Sequence, residues 1–216
     1  MSKQKPSKKT QLSRKLGSAD KLAPVVDNPI DLAILNTLSP RHRLAVEQAM
    51  KLFCFCENEE GMNYASVFTP LLGAIDEVAK DFIVQRLQPE LPTTVDAKTA
   101  WFDPDLDGVD RKSKQRYREL AKNLKRTLVS NDGRSLIGLL RSCLDYALNC
   151  TTKIDGVFAV LRTQFQVQGG HELLETIKRI NKFRNTYIAH QKKELIDRNK
   201  AKQELNVWIE VLQKLS

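Results

Sequence analysis

Leu136-Ile137-Gly138-Leu139-Leu140-Arg141-Ser142-Cys143-Leu144-Asp145-Tyr146-Ala147-Leu148 is the stretch that decides the fold class. Leu136, Leu139, Leu140, Cys143, Leu144, Ala147 and Leu148 recur at steps of three and four. That is the period of an α-helix with one buried face, whereas a half-buried strand would alternate at steps of two. Asn131-Asp132-Gly133, just before it, has the composition of a turn.

The same period extends outward in both directions. Upstream, a helix is expected from about Asp110 to Leu128, basic on its exposed face through Arg111, Lys112, Lys114, Arg116, Arg118, Lys122, Lys125 and Arg126. A charge run of this kind more often marks a solvated face than a binding surface. Residues 88–110 read as a long connection. Within it, Asp103-Pro104-Asp105-Leu106-Asp107-Gly108 resembles the opening of a calcium-binding loop, but the position that needs a bidentate glutamate is Lys114, so turn chemistry is the better reading. A helix over about Asn63–Leu87 carries Val67, Leu71, Leu72, Ile75, Val78, Ala79, Phe82 and Ile83, with Pro70 as a kink or a late start. Ser39-Pro40 reads as an N-cap with proline at the first helical position, opening a helix to about Cys56. His42, in its first turn, is expected to be exposed. Downstream, residues 152–167 read as a helix weakened by Gly156, and Gly169-Gly170 as a break. Helices from about His171 to Lys193 and Asp197 to Leu215 close the chain, with His171 as a helix-start residue. No strand-like alternation, internal repeat or glycine-rich phosphate loop stands out. The expectation is an all-α antiparallel helical bundle over residues 28–216.

Charge divides the chain differently. The 216 residues carry a net +9. Residues 1–22 hold Lys3, Lys5, Lys8, Lys9, Arg14, Lys15 and Lys21 against Asp20, so most of the excess belongs to this end, which argues against a basic folded body. Residues 1–27 are rich in Lys, Ser and Gln with almost no large apolar side chain, and are expected to be a disordered basic tail. Such a tail either keeps the protein in solution or acts as an electrostatic arm for RNA or DNA. No apolar run approaches the roughly 18 residues that span a bilayer, and no apolar segment follows the basic start as in a secretory signal. A cytoplasmic protein without membrane contact is expected. Cys54, Cys56, Cys143 and Cys150 lack the spacing of a zinc site or a disulfide framework and fit buried packing in a reducing compartment. No metal and no cofactor is expected.

The stretch that bears on chemistry is Ile180-Asn181-Lys182-Phe183-Arg184-Asn185-Thr186-Tyr187-Ile188-Ala189-His190. Arg184 is followed by the polar Asn185, and His190 lies six residues after Arg184. An apolar helix leads in through Leu173, Leu174, Ile177 and Ile180, and an amphipathic helix follows. This resembles the Arg-x(4–6)-His motif of HEPN domains, most closely those of abortive-infection and helicase-appended defence proteins. Phe68-Thr69-Pro70-Leu71-Leu72-Gly73-Ala74-Ile75-Asp76 would suit an early bundle helix of such a domain. The resemblance implies a metal-independent endoribonuclease in defence or RNA control, active as a homodimer. Arg184, Asn185 and His190 would be its catalytic residues, RNA its partner, and a larger defence complex its setting.

The residue types fit that chemistry on physical grounds. RNA can be cut without a metal when its 2′-OH attacks the adjacent phosphorus. Histidine moves protons near neutral pH, and a guanidinium matches phosphate oxygens in charge and fork geometry. Asn185 would orient the phosphate or the arginine. On a straight helix six residues rise about 9 Å and turn about 240° net, so Arg184, Tyr187 and His190 form a strip and one protomer offers half a site. Two protomers pooling their residues, or a loosened turn near Ala189, would resolve this. Lys8, Lys9, Arg14, Lys15, Arg111, Lys112 and Tyr187 are the candidate nucleic-acid contacts. Trp101 and Trp208 are weaker ones, since Trp208 lies among apolar residues of the last helix and is expected to pack. The sequence leaves an alternative open: a non-catalytic helical subunit that binds RNA or a protein partner within a larger nucleoprotein complex.

Overall fold

The computed structural model describes residues 35–130, 136–151, 154–166, 169–189 and 195–216. The basic tail, with Lys8, Lys9, Arg14 and Lys15, lies outside the described residues, as does His190. Ser39 caps helix α1 (Pro40–Glu57) by accepting the His42 backbone N–H at 3.3 Å, with Pro40 in the first turn. The buried face of α1 is His42, Val46, Ala49, Phe53 and Cys56. His42 is therefore not exposed as expected. It opens the inward stripe and retains 7% exposure, while Leu44 points outward. A short 3-10 turn (Tyr64–Phe68) precedes α2 (Thr69–Leu87), whose first turn holds Pro70, so the proline marks a late start rather than a kink.

The connection expected over residues 88–110 contains a helix, α3 (Val95–Phe102), capped by Thr94. Only Trp101 and Phe102, at its far end, are buried, so it has no apolar stripe to read. Beyond it, Asp103 accepts from Arg118 at 2.9 Å and Asp105 accepts the Asp107 backbone N–H at 3.1 Å, which is turn and ion-pair chemistry. Asp110 then caps α4 (Arg111–Ser130), accepting the backbone N–H groups of Lys112 and Ser113 at 3.0 Å.

The remaining helices are α5 (Leu136–Asn149), α6 (Gly156–Gln166), α7 (Gly170–Phe183) and α8 (Arg198–Leu215), the last capped by Asp197. Gly156 does not weaken α6 from within but begins it, with a left-handed φ of +59°. A Cβ there would lie 2.3 Å from the Trp101 carbonyl oxygen and 2.8 Å from the Tyr117 hydroxyl, so only glycine lets α3, α4 and α6 meet.

The described residues contain no strand, and the helices pack as an all-α bundle around α2 and α5. The α2 helix packs against α1, α4, α5 and α8, and α5 packs against α2, α4, α6 and α7. Two aromatic clusters fill the core. Tyr117, Tyr146 and Phe158 join α4, α5 and α6 with ring centroids 4.9 to 5.9 Å apart. Phe68, Phe183 and Trp208 join the 3-10 turn, α7 and α8, and Trp208 is fully buried as expected. Cys56 and Cys143 are buried, Cys54 and Cys150 half-buried, and none is in a disulfide. Among the described residues, no helix is long and apolar enough to cross a membrane.

Candidate functional site

Helix α7 is amphipathic, burying Leu173, Leu174, Ile177, Ile180, Asn181 and Phe183. Its regular winding stops at Phe183, and Arg184–Ala189 continue as a π-helical turn. A loosened turn, one of the two alternatives the spacing left open, is present here and begins at Arg184 itself. A π turn closes with i→i+5 bonds, one residue wider than the regular helix that precedes it. His190 lies just past the described residues of this turn.

Both flanks of the turn are anchored. On the near side, Phe183 is 4% exposed and packs on Phe68 at 4.7 Å between ring centroids. On the far side, Ile196 is fully buried. Its N–H donates to the Asn63 side-chain oxygen at 3.1 Å, and its carbonyl accepts the Tyr64 N–H at 3.2 Å. The same Asn63 oxygen accepts the Ala65 N–H at 3.1 Å and caps the 3-10 turn.

Arg184 is half-buried, and its guanidinium lies 3.8 Å from an oxygen of Asp76 on α2. The other Asp76 oxygen accepts the Ile137 backbone N–H at 2.9 Å. Asp76 thus performs two tasks. It supplies from another helix the acceptor that the first turn of α5 needs, and it gives Arg184 a fixed negative neighbour. Sequence reading placed Asp76 in an early bundle helix but assigned it no role. The available signal was a carboxylate pair, Asp76-Glu77, amid the apolar run of Leu71, Leu72, Ile75, Val78 and Ala79. Asn181 was also passed over. It is a buried polar residue one turn before Arg184, and its backbone carbonyl accepts the Arg184 N–H.

Asn185 is exposed beside Arg184. Tyr187 is half-buried rather than open, with its ring 5.0 Å from that of Phe183. The Lys200 ammonium lies 4.0 Å from the Tyr187 ring centroid and also contacts its hydroxyl. Tyr187 therefore ties the π turn to α8, and as a stacking surface it would first have to release Lys200. Arg111 and Lys112, the other candidate nucleic-acid contacts, are exposed at the start of α4, away from the motif in sequence. Arg116 of α4 and Lys178 of α7 both pair with Asp145 of α5, at 2.9 and 3.4 Å, and brace the outer face of the bundle. Burial alone would raise the Asp145 pKa, but its hydrogen bonds from Asn149, Arg116 and Lys178 hold it below the usual carboxylate value.

The arrangement can hold a guanidinium in a set direction at the surface end of a well-anchored helix, with an exposed amide beside it. It presents a positive charge, set beside the Asp76 carboxylate, and an amide on one turn. The chain matches no family model, no curated protein and no solved structure.

Proposed function

We propose that this protein is a metal-independent endoribonuclease of HEPN type, acting on RNA as a homodimer in defence or RNA control. The observation that carries this reading is the π-helical turn that begins at Arg184 and spans the motif up to Ala189. Such turns cost regular hydrogen bonding and occur frequently at functional sites. Asp76 supports the reading by fixing the direction of Arg184 before any substrate arrives, as electrostatic preorganisation requires. Arg184 stabilises the charge that builds on the phosphorane. His190 moves the proton from the 2′-OH to the leaving 5′-oxygen. Asn185 orients the phosphate. Two protomers pool their arginines and histidines, as the resemblance implies.

The test is RNA cleavage by the full-length protein in EDTA. His190→Ala and Arg184→Ala should each lower the rate at least about 100-fold. Arg184→Lys should fail as well, since lysine keeps the charge but loses the fork. The double variant should be little worse than the worse single, because groups acting as one unit are not additive. A second reading, a non-catalytic RNA-binding subunit, is favoured by the eight cations of α4. Salt-dependent RNA binding with no cleavage under any condition would establish it over the first.

A further inference from the structure

The charge beyond the first 22 residues is segregated. Residues 23–216 hold 28 basic and 25 acidic side chains. Helix α4 alone contributes eight of those cations against one acid, Glu119. The remainder of residues 23–216 is therefore acidic, with 20 basic against 24 acidic side chains. The near-neutral balance of the body conceals one strongly positive helix on an acidic background.

The cations of α4 are also ordered in space. At about 100° and 1.5 Å per residue, Arg111, Arg118 and Lys122 fall on one line along the helix. Lys114 and Lys125 flank that line on one side, and Arg126 on the other. The row is about 22 Å long from Arg111 to Arg126. The face with Tyr117, Ala121 and Leu124, about 80–140° round the helix from that line, is buried against the bundle, so the row cannot turn inward. Three carboxylates answer the first half of the helix: Asp107 at 4.0 Å from Lys114, Asp145 at 2.9 Å from Arg116 and Asp103 at 2.9 Å from Arg118. Arg111, Lys112, Lys122 and Arg126 have no ion-pair partner among the described residues. At the start of the row a cavity of about 460 Å³ opens between Val109, Arg111, Lys114, Gln115 and Arg118, with no carboxylate in its wall.

We infer that the outer face of α4 is a binding track for the phosphodiester backbone of a nucleic acid, with Arg111, Lys122 and Arg126 as its principal contacts. A linear row of cations on a rigid, well-packed helix, with Arg111, Lys122 and Arg126 unpaired among the described residues, matches a linear polyanion. A membrane surface would call for apolar side chains interleaved among the cations, and Val129 is the one large exposed apolar residue on this helix. The track does not depend on cleavage at Arg184. Its placement relative to that site has a bound: five residues separate Ser130 from Leu136, so the end of α4 lies within about 20 Å of the start of α5. There Ile137 shares Asp76 with Arg184.

The experiment measures binding of the full-length protein to a single-stranded 2′-O-methyl RNA and to a DNA of the same sequence. Neither probe has a free 2′-OH, so neither can be cut by the proposed reaction. Affinity is read between about 50 and 200 mM salt. The triple variant Arg111→Gln, Lys122→Gln, Arg126→Gln should bind at least tenfold more weakly at low salt, on both probes. Its plot of log affinity against log salt should be flatter by about 2 to 3. The matched triple Lys51→Gln, Lys80→Gln, Lys98→Gln removes the same charge from other helices and should keep the wild-type slope. Equal losses in both triples would mean that only net charge counts, and would overturn the track. So would an unchanged slope in the α4 triple, which would place binding elsewhere, or binding to anionic vesicles but to neither oligonucleotide. Because nothing is cleaved, failure here leaves the Arg184 reading untouched, and an inactive wild-type enzyme leaves the track untouched.

Discussion

Replacing Asp76 separates two contributions that one carboxylate makes. In Asp76→Ala the Ile137 N–H loses its acceptor at 2.9 Å. That is the loss of a helix cap, worth roughly 0.5–2 kcal/mol. The ion pair with Arg184 is lost too. At 3.8 Å, with both side chains a fifth to a quarter exposed, it is screened by water and contributes about 0–1 kcal/mol. The expected destabilisation is about 1–2 kcal/mol, or roughly 2–8 °C in Tm for a chain of this size. Asp76→Asn retains an oxygen for Ile137 and loses only the charge, so it should cost less than about 1 kcal/mol. Thermal and urea unfolding followed by far-UV circular dichroism measure both variants, with an unchanged urea slope as the sign that the folded state keeps its compactness. RNA cleavage should behave differently from stability. Both variants remove the charge that fixes Arg184, so both should be slowed alike. Equal destabilisation by Ala and Asn would show that the N–H contact is not what Asp76 supplies to the fold. Wild-type cleavage in both would show that Arg184 needs no fixed neighbour.

Gly156→Ala should be far more damaging, by about 3 kcal/mol or more, since it combines a left-handed φ with a Cβ 2.3 Å from the Trp101 carbonyl oxygen; an unchanged urea midpoint would contradict this packing of α3 on α6. Asn63→Ala removes the acceptor shared by the Ala65 and Ile196 N–H groups and should cost about 1–3 kcal/mol. It should also raise amide exchange at both positions, and protection at wild-type level in the variant would show that the anchor lies elsewhere. The lowered Asp145 pKa gives a pH signature. Its stabilising effect is present above the unfolded carboxylate value of about 3.9 and is lost as pH falls through the lower folded value. The stability gap between wild type and Asp145→Asn should therefore be full at pH 7 and close below about pH 4, and a gap that stays constant down to pH 2 would contradict the account.

The long periodic elements were legible because one physical rule governs them. The stripe from Leu136 to Leu148 is a buried helix face, and Ser39-Pro40 and Asp197 mark helix starts. Where the sequence misled, a tertiary contact outweighed the local signal. Helix α3 buries only its last two residues, so it has no period to read. His42 is a polar residue on an inward stripe, and residue type alone assigned it to solvent. Gly156 reads as a weak helix former, yet its reason is a carbonyl oxygen from α3 that lies distant in sequence. At the candidate site, Arg184 and Asn185 were visible as a motif. The Asp76 partner was not, because a contact between residues 76 and 184 leaves no trace in local pattern. The π turn from Arg184 to Ala189 has no compositional signature. The charge of α4 was visible but was averaged away when the folded part was summed as one body.

The most direct measurement of the central claim is the chemistry of the cut ends. Full-length protein is incubated with RNA in EDTA, and the 3′ ends of the products are identified by mass spectrometry. Attack by the 2′-OH without a metal leaves 2′,3′-cyclic phosphates, and these should form with wild type and be lost with His190→Ala. Ends bearing a free 3′-hydroxyl, cyclic phosphates that persist in His190→Ala, or cleavage that requires a divalent cation would contradict the assignment of Arg184 and His190 as the reacting pair.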